Sequence, residues 1–218
     1  MKEEHTDFVV SHCRALAAHL GLSRRQQLLA EMIGLFHDIG RFKQFTLYRT
    51  FNDKISVNHA LLGLEEIKTL PLLDRLEAAE REIFTFAIAN HNALAIAETA
   101  DAEKLLFAQI IRDADKLDIY RVLAPSLRPP QQDAAYSPYF AQCLLAGEQG
   151  DYSLIRTEED RKLVRLLWIY NVYFGWTMRA IDRGGYVDQI ISLLPAGEDT
   201  RRGAARLKAY MAEKMKER

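Results

Sequence analysis

The adjacent pair His37-Asp38 closes the apolar run Leu28-Leu29-Ala30-Glu31-Met32-Ile33-Gly34-Leu35-Phe36. Burying an imidazole or a carboxylate without a partner costs several kcal/mol, and a divalent metal compensates both at once. Further candidate ligands are His5, His59, His91 and Asp115, each inside its own helical pattern, so the expected metal centre is assembled from several helices. His37 and Asp38 are sequential and diverge by about 100° on a helix. Both reach one ion only if it sits off the helix flank near the end. His5 lies thirty-two residues before His37, and two antiparallel helices with a short connection bring those positions together. Asp115 sits among Ile110, Ile111, Leu117 and Ile119, where a carboxylate needs a partner. Two imidazoles and two carboxylates suit zinc, manganese, iron, cobalt or nickel. If His59 and His91 converge on Asp38 from the opposite side, that carboxylate bridges a second ion, the arrangement that stabilises attacking and leaving oxygens in phosphoester hydrolysis.

Plainer readings compete. His12 and His19 lie on nearly the same stripe as His5, and His19, near a helix C-terminus, reads as a surface residue favoured by the dipole. Asp115 has an alternative ion pair in Arg112 or Lys116 on its own helix. His59 and His91 have an alternative as phosphate-binding groups beside a single ion. Asp113, Asp115 and Asp118 have the look of a calcium loop, but the surroundings are helical and the loop glycine is missing.

The elements that must position these residues read as helices throughout, because apolar spacings of three and four recur and period-2 alternation is scarce. Phe8, Val9, Leu16 and Leu20 make one face of a first helix that Gly21 closes. Ser23 caps a second, which ends at Ile39-Gly40. Residues 41 to 56 read as a polar and aromatic connection, and Ser56 as the cap of a third helix bearing His59. Leu76 to His91 and Ala102 to Leu123 are the next two. Pro125, Pro129, Pro130 and Pro138 exclude continuous helix, so the chain is read as a metal-binding core, residues 1–124, and a C-terminal helical extension, residues 125–218. In the extension, Glu158 to Arg183 reads as one long amphipathic helix stopped by Gly184-Gly185, followed by helices around Val187–Leu194 and from Thr200. Trp168, Tyr170, Tyr173, Phe174 and Trp176 fall at helical spacing and read as core rather than as a base-stacking set.

Composition narrows the function. A formal net charge of -1 offers no basic field for nucleic acid or an anionic membrane. Two cysteines, Cys13 and Cys143, are too few for a disulfide framework or a thiolate zinc module. The N-terminus lacks an apolar signal core, and the stretch from Leu163 to Trp176 is too short to span a bilayer. The expectation is a cytoplasmic protein.

Taken together, the residues resemble the HD-domain metal-dependent phosphohydrolases. The matching elements are His5 in His-Thr-Asp-Phe-Val, His37-Asp38 in Phe-His-Asp-Ile-Gly-Arg, His59 in Asn-His-Ala-Leu-Leu-Gly, His91 in Ala-Asn-His-Asn and Asp115 in Ala-Asp-Lys-Leu-Asp. The resemblance spans residues 1 to 124. It favours His5 over His12 as first ligand, and it implies an all-α HD-domain bundle holding one or two divalent ions (Mn, Fe, Zn, Co, Ni or Mg). The implied reaction is attack of metal-activated water on a phosphomonoester or phosphodiester, a nucleotide or related small metabolite. Asp38 or Asp115 would accept a proton, His59 or His91 would protonate the leaving oxygen, and Arg41 and Lys116 would hold the phosphate. Asp113 and Asp118 would orient imidazoles, and the segment Phe42 to Lys54 would set specificity. The lysine that often follows the dyad's glycine is Arg41 here, which keeps a cation and adds a bidentate fork. The Gly-Tyr-Pro element of cyclic-dinucleotide phosphodiesterases is missing, and so is the Glu-Asp pair of guanosine tetraphosphate hydrolases. Rival readings are a di-iron oxygenase on the same fold and a non-catalytic nucleotide-binding regulatory module. The C-terminal half offers a surface for a homodimer or a lid.

Overall fold

A turn built on Gly21, whose φ of 71° suits a residue without Cβ, reverses the chain between α1 (Lys2–His19) and α2 (Arg24–Phe36). The computed structural model describes residues 2–71 and 73–217, and among these the regular structure is helical throughout, with no strand. Ser23 caps α2 in a reciprocal box with Gln26. Gly34 lets the two helices close, since a Cβ there would lie 3.1 Å from Cys13 Sγ and 3.2 Å from Val10 Cα. Val9, Leu16, Ala17, Leu29, Ala30 and Ile33 are buried. Phe8, read as part of the apolar face, is instead exposed at 38%.

Residues 41 to 56 are not one connection. They begin with α3 (Gly40–Tyr48), which buries only Gly40 and Gln44. A helix with so small a buried face and so many exposed aromatics carries no amphipathic signature. Asn58, not Ser56, caps α4 (His59–Lys68), its side chain accepting from the N–H groups of Ala60 and Leu61. Gly40 and Gly63 bring α3 against α4: a Cβ on Gly40 would lie 2.1 Å from the His59 carbonyl oxygen and 2.5 Å from Gly63 N. The glycine of the His-x-x-x-Gly segment is thereby explained by packing. α5 (Ala78–Asn90) and α6 (Ala102–Leu123) follow.

The chain divides into two units, Met1–Asp118 and Ile119–Arg218, so the division falls within α6. The second unit contains α7 (Pro138–Ala146), α8 (Glu158–Leu167), α9 (Gly175–Arg183), α10 (Tyr186–Ser192) and α11 (Glu198–Lys214). Its core includes Phe140, Leu144, Leu163, Leu167, Leu207 and Met211. The prolines interrupt helix as expected, with Pro138 standing at the first turn of α7, where its missing N–H is harmless. One expectation fails here. The expected helix Glu158–Arg183 is two helices, separated by a 3-10 turn at Trp168–Asn171 and extended backbone at Val172 and Phe174. Gly175 restarts the helix where a Cβ would lie 2.4 Å from the Glu217 carbonyl oxygen. The five aromatics from Trp168 to Trp176 are half-buried. Among the described residues, no helix is long and apolar enough to cross a membrane.

Candidate metal centre

Four of the six candidate ligands stand at helix ends. His37 is the C-cap of α2, Asp38 lies in the turn before α3, His59 is the first residue of α4, and His91 is the C-cap of α5. His5 and Asp115 come from within α1 and α6. All are buried except Asp115, which is partly exposed. His12 lies two turns from His5 along α1 and stacks obliquely near Phe8, ring centroids 6.2 Å apart. His19 is exposed.

The six residues form two sets, His5-His37-Asp115 and Asp38-His59-His91, and within each set one ligand atom per residue lies within 4.8 Å of the others. The dyad is thus shared between the sets. Asp38 joins them through different oxygens: Oδ2 is 3.9 Å from His37 Nε2 and 4.0 Å from His5 Nε2, while Oδ1 is 3.1 Å from His59 Nε2 and 3.9 Å from His91 Nε2. Asp115 Oδ1 lies 3.2 Å from His5 Nε2 and 3.8 Å from His37 Nε2.

Each of the four candidate imidazoles is held from behind through Nδ1. His5 donates to Asp118 Oδ2 at 2.6 Å, His37 to the Gly34 carbonyl at 2.7 Å, His59 to Asp53 Oδ2 at 2.7 Å and His91 to the Ile88 carbonyl at 2.8 Å. An acceptor at Nδ1 requires the proton there, so in the neutral ring Nε2 presents a lone pair. The Nε2 atoms of His59 and His91 stand 3.0 Å apart. Two lone pairs at that distance repel unless a cation or a proton lies between them. His37 Nε2 is buried and has no hydrogen-bond partner among the described residues. That orphaned atom is the test of fit: a buried nitrogen with a fixed tautomer and two carboxylates nearby has the donor chemistry of a metal ligand. The donor set therefore fits a divalent ion.

The charges agree. Burial works to lower the His5 pKa, but Asp115 and Asp118 outweigh it and raise the group to about 9. Burial pushes Asp115 up, yet His5 and His37 bring it down to about 2. A proton on His5 facing Asp115 thus takes the place of a cation. His37 goes the other way: its full burial lowers its pKa despite Asp38 and Asp115, which keeps the lone pair available.

A second layer supports the first. Burial opposes ionisation of Asp53, but Gln44, His59 and Arg41 hold it below the usual carboxylate range. Asp53 also accepts from Asn92 Nδ2 at 3.0 Å. Arg112 donates to the carbonyls of Asn90, Ala93 and Leu94, clamping the turn that carries His91 and Asn92. Sequence reasoning missed Asp53, Gln44, Asn92 and Arg112 in these roles. Only Asn92 carried a signal, as the neighbour of His91. Asp118, one helical turn after Asp115, occupies the orienting place expected of it.

The two candidate phosphate cations differ. Arg41 Nε donates to Asp38 Oδ1 at 3.3 Å, and its Nη1 serves Gln44, the Phe51 carbonyl and Asp53. Nη2 has no acceptor among the described residues. Lys116 is partly buried, and burial lowers its pKa to about 8 against the pull of Asp113.

The family model of the HD domain matches residues 3–120, more than half of the chain. No curated protein matches the sequence, and no solved structure does.

Proposed function

Because this chain belongs to the HD domain family, we propose that it is a metal-dependent phosphohydrolase of a phosphomonoester or phosphodiester, a nucleotide or related small metabolite. The observation that carries the reading is the buried, unpartnered Nε2 of His37, set among three further Nε2 atoms whose tautomers are fixed the same way. His5, His37 and Asp115 would hold one ion, and Asp38, His59 and His91 a second. Four imidazoles favour manganese, iron, cobalt, nickel or zinc over magnesium, which prefers oxygen ligands. Bound divalent ions supply Lewis acidity, which acidifies water and neutralises phosphoryl charge.

The chain's own residues do the rest. Asp53 and Asp118 fix the imidazoles, and such partners are worth about ten- to a hundredfold in metal affinity or activity. Arg41 holds Asp38 in place through Nε and turns Nη2 to a phosphate oxygen, while Lys116 adds a second positive charge. Asp115 or Asp38 accepts the proton lost by the attacking water. His59 or His91 protonates the leaving oxygen only if the second set binds no ion, since Nδ1 of each is already committed. Elemental analysis of the purified protein, paired with a phosphatase and phosphodiesterase screen under several divalent ions, tests the reading. The expected result is one or two ions per chain and phosphate release that does not need oxygen. A metal-free protein whose activity no added ion restores would overturn it, as would turnover unchanged in Asp38→Ala.

A further inference from the structure

The second unit contains none of the histidines and aspartates of the metal sets, yet it has a cavity of about 840 Å³. Its walls are the segment running from Ser126 to Ala135 and one face of α8 from Thr157 to Arg165. That volume is in the range of a small-molecule site. The wall bears three cations, and two of them have hydrogen-bond partners in the protein. Lys162 Nζ lies 2.9 and 3.0 Å from the two Glu159 oxygens and donates to the Leu193 carbonyl at 2.9 Å. Arg128 Nη1 donates to the carbonyls of Pro125 at 2.8 Å and Leu127 at 3.0 Å.

Arg165 is different. Its guanidinium makes no hydrogen bond and no ion pair with any described residue. Burial lowers its pKa, with Glu158 acting to raise it and Arg161 to lower it. A planar fork of five N–H donors, partly removed from water and given no acceptor, is an expensive group to keep. No acid of the wall forms an ion pair with it. Glu159 is taken by Lys162, Glu158 pairs with Arg161 at 2.9 Å, and Asp133 is exposed on the loop.

We propose that this cavity is a binding site for a small organic oxyanion, whose phosphate or carboxylate group is gripped by the Arg165 guanidinium. Leu127, Pro129 and Ala134 give the ligand's body an apolar seat, and Gln131 and Gln132 offer amides at the rim. The site is separate from the metal centre in its residues and does not depend on the hydrolase reading.

Calorimetric titration of the full chain with AMP, glutarate and inorganic phosphate tests this, each probe added up to the millimolar range. AMP and glutarate tell an organic phosphate from a carboxylate. Each titration is repeated on Arg165→Met, which keeps the stem, on Arg165→Lys, and on His37→Gln, which disables the metal centre instead. At least one organic probe should bind the wild type and the His37→Gln variant alike. Arg165→Met should weaken it about ten- to a hundredfold, the worth of hydrogen bonds to a charged group. Arg165→Lys should lose less. Thermal melting of the unliganded Arg165→Met variant separates binding from folding: loss of a strained cation leaves the midpoint unchanged or higher, whereas a structural arginine lowers it. Binding that is equal in wild type and Arg165→Met, binding lost only in His37→Gln, absence of binding by either organic probe, or a lowered midpoint in Arg165→Met would each overturn the proposal.

Discussion

Both units bury charged groups, but they finish them differently. In the second unit, Lys162 and Glu159 neutralise each other within one turn of α8, both almost wholly buried. Nearby Asp160 accepts from the backbone N–H groups of Ser137, Arg156 and Thr157. Each of these three charged groups meets a partner within its own unit. In the first unit, the imidazoles are held on the outer side through Nδ1. Toward the centre their Nε2 atoms converge on carboxylates and on one another, and that of His37 has no hydrogen-bond partner among the described residues. A buried charge that is fully partnered is architecture. A buried set that leaves a nitrogen unmet at its centre is half of an interaction whose other half is a ligand.

Substitutions can break that contrast. Asp38→Ala removes the one carboxylate that faces both sets, and turnover should fall by more than the roughly hundredfold expected of a supporting residue. Metal content measured by elemental analysis should fall with it. Since the lone pairs that Asp38 faces are unmet while its contacts with Arg41 and His5 are lost, chemical denaturation of the metal-free variant should show a smaller loss of stability than an unpartnered buried charge causes. Lys162→Met should do the reverse. It leaves Glu159 buried and alone, at a cost of about 3–5 kcal/mol in urea unfolding, with metal content and activity per folded molecule unchanged. Replacing both partners by apolar residues of similar size should return most of that stability. If Lys162→Met proves neutral, the Lys162–Glu159 pair is not the self-contained element described. Asp53→Asn sits between these extremes, because it weakens the grip on His59 without removing a ligand. Metal affinity or activity should drop about ten- to a hundredfold, read by titration with a competing chelator.

How far the sequence revealed this follows the same division. The six candidate ligands were legible because their order and spacing form a motif, and Ser23, Gly21 and the span of α6 were legible because caps and apolar periodicity announce them. α3 was hidden because it buries only Gly40 and Gln44, so no apolar stripe marks it. The break after Leu167 was hidden for the opposite reason: apolar and aromatic residues continue through the 3-10 turn, and periodicity cannot register a change of backbone within an unbroken apolar run. Asp53, Gln44 and Arg112 support the centre through side-chain contacts between different elements, and nothing local distinguishes them from solvated polar residues. Arg165 falls inside the span that reads as one amphipathic helix, where its type alone marks nothing. Only the three-dimensional arrangement reveals that its neighbours pair with others.

The smallest effect tests the proton that substitutes for the cation. In the metal-free chain, His5 titrates near 9, above its unfolded value of 6.5. A raised pKa contributes stability that is full below 6.5 and is lost as pH climbs through 9. Asp115 titrates near 2, below its unfolded 3.8. Its contribution is therefore full above 3.8 and lost as pH falls through 2. The pair thus steadies the metal-free protein most between about 3.8 and 6.5. Metal and proton compete for His5 Nε2, so added ion should raise the melting temperature least in that window and progressively more from 6.5 to 9. Melting curves with and without a divalent ion across this range measure the difference. A metal-induced shift that stays flat with pH would mean that His5 keeps its proton facing Asp115 while metal binds elsewhere, and that the set His5-His37-Asp115 is a buried ion pair like Lys162–Glu159, not half of a ligand site.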